Sequence, residues 1–168
     1  MIFKERISRK RERAGAKDIG GNSSYGSGNQ WHSKADFSND YFIVEDKFTK
    51  SFTFSLSLDM LKYIDSAGLR HARIPVLRFG FEVGTRSNYA VLQKKDVIGL
   101  VTASHNVLVY NILKTNESEL NELFPDLPFE LEKEELPCIL LTFTKDGSEY
   151  RIFEWDFFVR ECEAIIGL

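Results

Sequence analysis

Residues 41–48, YFIVEDKF, followed at 51–57 by SFTFSLS and then by a run opening Leu58-Asp59-Met60, decide how this chain is read. The first stretch is β-branched and aromatic, the composition of a strand. The second alternates strictly through Phe52, Phe54 and Leu56, so a second strand is expected. A helix follows at once: Ser57 is placed to cap it, Asp59 suits its N-terminal dipole, and Met60, Leu61, Ile64 and Ala67 or Gly68 share one face. Beyond it, residues 74–82 (IPVLRFGFE) and 88–93 (NYAVLQ) read as two more strands joined around Gly84, with a helical turn expected from Val97. Strand, strand, helix, strand, strand predicts an α/β fold with a mixed sheet.

Outward from this block, residues 3–16 are good helix formers, with Gly15, Gly20 and Gly21 at and beyond the expected end. The apolar stripe of that helix is thin: Ile2, Phe3, Ile7 and Ala14 are nearly all it can bury. It is therefore expected at a surface, basic face outward, with Glu5 and Glu12 two turns apart and Arg9 between them. Residues 20–34 (GGNSSYGSGNQWHSK) form a Gly/Ser/Asn-rich loop. Tyr25, Trp31 and His32 are costly residues for a spacer, which favours a loop that orders around a ligand. Towards the other end come residues 107–113, an acidic stretch near 117–135, a strand pair at 138–144 and 150–155 turning at Asp146-Gly147, and a short closing helix.

The chain has 168 residues, 43% of them hydrophobic, enough for one well-buried core with an extension. No apolar run is long enough to cross a bilayer and no signal-peptide pattern opens the sequence, so a soluble cytoplasmic protein with no membrane partner is expected. Two cysteines, Cys138 and Cys162, and three histidines argue against a disulfide framework or a zinc site. The net charge of −3 conceals a gradient. Residues 1–34 carry eight Lys and Arg against three acids, residues 35–112 nine against eight, and residues 113–168 five against fourteen. A polyanion would meet the first segment and be repelled by the last. By charge alone the first helix is either a solvated face or a phosphate-contacting one.

The chemistry gathers between residues 36 and 47. Side chains alternate along a strand, so Glu45 and Lys47 emerge on one face, about 7 Å apart, and Asp46 on the other. Asp36, nine residues before Glu45 and across a turn expected at Ser38-Asn39-Asp40, brings a second carboxylate if its segment pairs with this strand. Two carboxylates, a main-chain carbonyl and a DNA phosphate make a hard-oxygen site suited to Mg2+, with Lys47 beside the bound water. The plain alternative is an exposed strand end with an ordinary ion pair. His32 lacks metal-binding companions and is expected to contact phosphate or base.

These residues resemble the PD-(D/E)xK nuclease superfamily, and within it the Holliday-junction resolvases of archaeal and phage type. The likeness runs over residues 4–98 and rests on the first helix with Glu12, Gly26-Ser27-Gly28, Lys34-Ala35-Asp36, residues 43–47 (IVEDK) and Thr49. It implies a restriction-endonuclease-like core, α-β-β-β-α-β with a mixed central sheet flanked by helices, over residues 1–104. Residues 105–168 would be an acidic α+β extension packed on that core. The resemblance further implies Asp36 and Glu45 as metal ligands, aided by the Asp46 main-chain carbonyl. It makes Lys47 the catalytic lysine and Glu12 an assistant from the first helix, with Glu5 an alternative.

By the same resemblance the metal would be Mg2+, or Mn2+, and the chain a homodimeric endonuclease acting on branched or four-way-junction DNA. The setting would be the cytoplasm of a prokaryotic or phage-infected cell. Expected DNA contacts are Arg9, Arg11 and Arg13 on the helix, Ser27, Gln30, Trp31, His32 and Lys34 in the loop, and Thr49 at the strand end. The acidic last third would lie away from DNA, as a dimer contact or a face for a protein partner. A nuclease of linear duplex and a non-catalytic DNA-binding module on the same fold are the alternatives. Two departures stand out: Ala35 replaces the proline of the family name, and Asp46 occupies a position more usually apolar or small. Asp46 therefore needs a partner or solvent.

Overall fold

A computed structural model describes residues 2–23, 35–82, 87–126 and 135–168, with side chains from Ile7 onward. The first half contains helix α1 (Ile2–Asp18), strands β1 (Asn22–Ser23), β2 (Phe37–Ser38), β3 (Phe42–Thr49) and β4 (Thr53–Ser57), helix α2 (Leu58–His71), and strands β5 (Ile74–Phe81) and β6 (Asn88–Gln93). The second half contains β7 (Val101–Thr102), β8 (Asn106–Val109), β9 (Ile112–Asn116), α3 (Glu117–Leu123), β10 (Leu136–Pro137), β11 (Ile139–Phe143), β12 (Ser148–Glu154) and α4 (Trp155–Ile166).

Among these residues the main sheet has eight strands in the order β1-β2-β3-β5-β6-β12-β11-β8. β2 pairs antiparallel with β3, and β3 pairs parallel with β5 from Phe42↔Ile74 to Thr49↔Phe81. A parallel pair needs a crossover, and α2 supplies it. Its N-terminus is capped as expected, Met60 N–H donating to Ser57 Oγ at 3.2 Å. With β4 outside the main sheet, α1-β1-β2-β3-α2-β5 gives the expected α-β-β-β-α-β order, a mixed central sheet flanked by helices.

Both faces of the sheet are covered, and alternation along each strand divides the core in two. Leu77, Phe79 and Val91 point to the side of α2, where Leu58, Leu61 and Ile64 are buried with Phe54 and Leu56. Phe42, Val44, Val76, Ala90 and Leu92 point to the side of α1 and α4, against Ala16, Trp155 and Phe158. β3 thus turns Ile43, Glu45 and Lys47 towards α2, and Phe42, Val44 and Asp46 towards α1 and α4.

The structure corrects the sequence reading in several places. The strand expected at 51–57 is shorter and leaves the main sheet: β4 pairs with β9, Thr53↔Asn116 to Ser57↔Ile112. Both edges of β3 are already taken by β2 and β5, so β4 has no place beside it. Phe52 falls outside the strand and is exposed. No α-helix follows Val97; one 3-10 turn at Lys94–Asp96 ends there. The N–H groups of Ile98 and Gly99 instead donate to Ile165 O near the end of α4. Helix α1 also runs past its expected end, because Gly15 packs inside it against the Phe37 ring, where a Cβ would lie 2.5 Å from Cζ.

Residues 105–168 continue the sheet of residues 1–104 rather than resting on it, since β12 pairs with β6 from Tyr150↔Gln93 to Glu154↔Tyr89. The hairpin turn at Asp146-Gly147 is formed as expected, Gly147 at φ 78°. Among the described residues no helix is long and apolar enough to cross a membrane. Cys138 is buried and Cys162 half-buried, both as free thiols.

Candidate active site

Strand pairing brings the acidic residues together. Phe37 lies opposite Val44, so Asp36, the next residue back, comes level with Glu45. Asp36 N–H donates to Val44 O at 3.0 Å, and Asp36 Oδ2 accepts from the Asp46 N–H at 2.7 Å. The carboxylate is thereby held on the rim of β3, as the spacing predicted. On the α2 side of the strand, Lys47 Nζ sits 3.1 Å from Glu45 Oε1. Their side chains are 46% and 14% exposed, so the ammonium is well exposed and the carboxylate is partly buried.

Glu12 joins this group from α1. Burial, then the carboxylates of Asp36, Asp46 and Glu45, push its pKa up to about 7. Glu45 is also pushed up to about 7, first by burial and next by Asp36, although Lys47 pulls the other way. Burial works against the Lys47 ammonium, but Glu45 and Asp36 outweigh it and raise its pKa. Three carboxylates sharing one lysine carry surplus negative charge, which a divalent cation would neutralise.

That charge balance and the hard-oxygen donors fit Mg2+. Among the described residues no three His, Cys, Asp or Glu side chains are arranged to hold a metal by themselves. Magnesium commonly takes one or two carboxylates and completes its shell with water and substrate phosphate, so a two-carboxylate site is sufficient. The recess beneath Glu45, lined by Ala35, Ile43, Tyr63, Ile64 and Ala67, holds only about 10 Å³. A groove of about 410 Å³ runs elsewhere, past Asp40, Asp65 and Asp96, and includes none of these site residues. Among the described residues the acidic site is a strand rim rather than a small-molecule pocket.

Thr49 falls on the same face as Glu45 and Lys47 and organises the turn after β3, its Oγ1 accepting from Ser51 N–H at 3.1 Å. The three arginines expected to face phosphate part company. Arg9 and Arg13 are exposed. Arg11 turns inward, only 18% exposed at its side chain, and grips Asp46 through Nε and a terminal nitrogen, both at 3.0 Å. The reason is Asp46, 3% exposed, whose charge needs compensation on the α1 face. The loop residues Ser27, Gln30, Trp31, His32 and Lys34, with Tyr25, Gly26 and Gly28, lie outside the described residues, as does the Glu5 side chain.

Two residues were not sequence candidates. Tyr63 lies off the buried face of α2, and helical spacing marks it as a solvent residue. Only the return of α2 across β3 places its half-exposed ring by the Glu45 recess, close enough for its phenol to act on Lys47. Arg78 sits inside the strand IPVLRFGF, where a charge is costly. It is 4% exposed, reaches Asp46 Oδ1 at 3.0 Å and stacks 4.9 Å from the Trp155 ring. A buried-strand arginine opposite an unexplained buried aspartate was the available signal.

No family model matches the sequence. No curated protein matches it. Among solved structures, the chain is similar to Hjc, a Holliday junction resolvase of the archaeal hyperthermophile Archaeoglobus fulgidus, at 15% identity and a TM-score of 0.41. The match covers 67% of this chain and 86% of that one.

Proposed function

We propose that this chain is a Mg2+-dependent, structure-selective DNA endonuclease that hydrolyses phosphodiester bonds, acting as a homodimer on four-way junctions. The observation that carries the hydrolytic reading is the convergence of Asp36, Glu45 and Lys47 on one strand rim, with Glu12 brought in from α1. The junction substrate follows from the sequence resemblance alone.

Asp36 and Glu45, with the Asp46 main-chain carbonyl, are the residues that would hold the cation. When bound, the cation would lower the pKa of a coordinated water and neutralise charge developing on the phosphate. Lys47, exposed and held beside Glu45, has donors to orient a water or to meet a non-bridging phosphate oxygen. The Asp46 N–H keeps Asp36 turned to the rim. Glu12 is close to ordinary pH in its ionisation and can take or return a proton. The exposed Arg9 and Arg13 belong to the end of the chain that favours a polyanion.

The test is cleavage of a four-way junction, a nicked duplex and a linear duplex, each with Mg2+ or chelator, by the wild type and by Lys47→Ala. Junction cleavage that needs Mg2+ and falls at least about a hundredfold in the variant is expected. Equal cleavage of all three substrates would replace the junction reading by that of a duplex nuclease. Full activity in Lys47→Ala or in chelator would remove the site itself. No cleavage of any substrate, with binding retained, would leave a DNA-binding module, a reading the complete Asp36, Glu45 and Lys47 set opposes.

A further inference from the structure

The Asp46 side chain is 3% exposed, and the hydrolytic reading gives it nothing to do. The structure assigns it a role: Asp46, Arg11 and Arg78 form a buried charged clasp that docks the middle of α1 on the sheet and so positions Glu12 at the reaction centre. The role of Glu12 in this statement rests on the nuclease reading; the docking does not.

The geometry is specific. Asp46 accepts from Arg11 through both oxygens at 3.0 Å and from Arg78 through Oδ1 at 3.0 Å. Arg11 also donates to Asn88 Oδ1 at 2.8 Å and lies 5.1 Å from the Phe48 ring. Gly80 leaves the room for this, since a Cβ there would come 2.1 Å from Asn88 Oδ1 and 3.2 Å from Arg11. A planar fork held on two oxygens and stacked on a ring fixes direction as well as distance, which a lysine cannot do.

Among the described residues of α1, the clasp is the main anchor of the middle of the helix. Its described buried residues are Gly15 and Ala16, near its C-terminal end, where Trp155 Nε1 also donates to Asp18 at 2.8 Å. Residues 7–14 contribute no buried side chain to the core, so their placement falls to Arg11, whose guanidinium grips Asp46 and whose main-chain carbonyl accepts from Arg78 Nη1 at 3.5 Å. Glu12 adjoins Arg11 in the chain, and the same Asp46 whose side chain holds Arg11 holds Asp36 by its N–H. One residue thus sets two of the three carboxylates.

The test uses the full chain with Arg11→Met, which keeps an unbranched stem, removes the guanidinium from Asp46 and Phe48, and leaves the Asp18 tether intact. Amide exchange in residues 9–14 should quicken at least about tenfold while β3 and β5 keep their protection. With a four-way junction and Mg2+ at saturating DNA, Glu12→Gln should slow turnover at least about tenfold in the wild-type background. In the Arg11→Met background the same substitution should change nothing. A merely structural Arg11 would leave that factor intact. Unchanged exchange in α1, a Glu12→Gln factor that persists in Arg11→Met, or no Glu12→Gln effect in the wild type would each overturn the proposal. If Arg11→Met does not fold, Arg11→Lys is read by the same criteria. If the wild type cuts no DNA, the nuclease reading fails and exchange alone judges the clasp.

Discussion

The Asp46 N–H donates to Asp36 Oδ2 at 2.7 Å, joining the backbone of β3 to the side chain of the residue that immediately precedes β2. The acceptor can be kept while the charge is removed. Asp36→Asn should therefore fold with a melting temperature near that of the wild type, yet lose at least about a hundredfold in Mg2+-dependent cleavage. Comparison of thermal melts with cleavage rates checks this. Loss of both together would show that Asp36 is needed for folding rather than chemistry.

Glu12 and Glu45 both have folded-state pKa values of about 7, above the 4.5 of the free group. A raised carboxylate pKa contributes stability that is fully present below the unfolded value and lost as pH rises through the folded one. In chelator, the protein should thus melt at a lower temperature at pH 8 than at pH 5. Mg2+ should restore stability at pH 8 and do less at pH 5, where Glu45 is protonated. Melts over that range, with Glu45→Gln flattening the profile, provide the measurement.

Gly80 has no φ requirement, but it is the floor on which Asn88 and Arg11 meet. Gly80→Ala should cost about 1–3 kcal/mol through overpacking. Denaturant unfolding would register the loss, and Asn88→Ala in the same chain should return part of it by vacating the contact.

Arg9 and Arg13 are exposed, whereas Arg11 is committed to Asp46. If the first helix meets DNA, Arg9→Gln with Arg13→Gln should weaken binding and reduce the slope of log K against log salt by up to about 2, one for each lost phosphate contact. Affinity measured across a salt series decides it. An unchanged slope would move the DNA surface away from α1.

Much of this architecture was legible because it is local. Apolar periodicity marked β3, β5, β6 and α2 to within a few residues, and Ser57 announced the start of α2 because capping is decided within one turn. Alternation along β3 placed Glu45 and Lys47 on one face and Asp46 on the other. The displacement of β4 to pair with β9 could not be read, since it depends on which strands already hold the edges of β3. Nor could the continuation of the sheet through β12 and β6, a pairing of segments some sixty residues apart.

The sequence by itself determined that Asp36, Glu45 and Lys47 were available on or beside strand-forming segments, with Asp46 a further acid that needed a partner. Periods of two and of three and a half residues are properties of the backbone, so that much follows without the rest of the chain. Only the tertiary structure decided that Asp46 would find Arg11 and Arg78, that Arg11 would leave its neighbours Arg9 and Arg13 and turn inward, and that Glu12 and Tyr63 would stand beside Glu45 and Lys47. Those choices are made by burial. A charge enclosed between a helix and a sheet must be compensated by whatever the packing brings near, and packing is not written in any single segment.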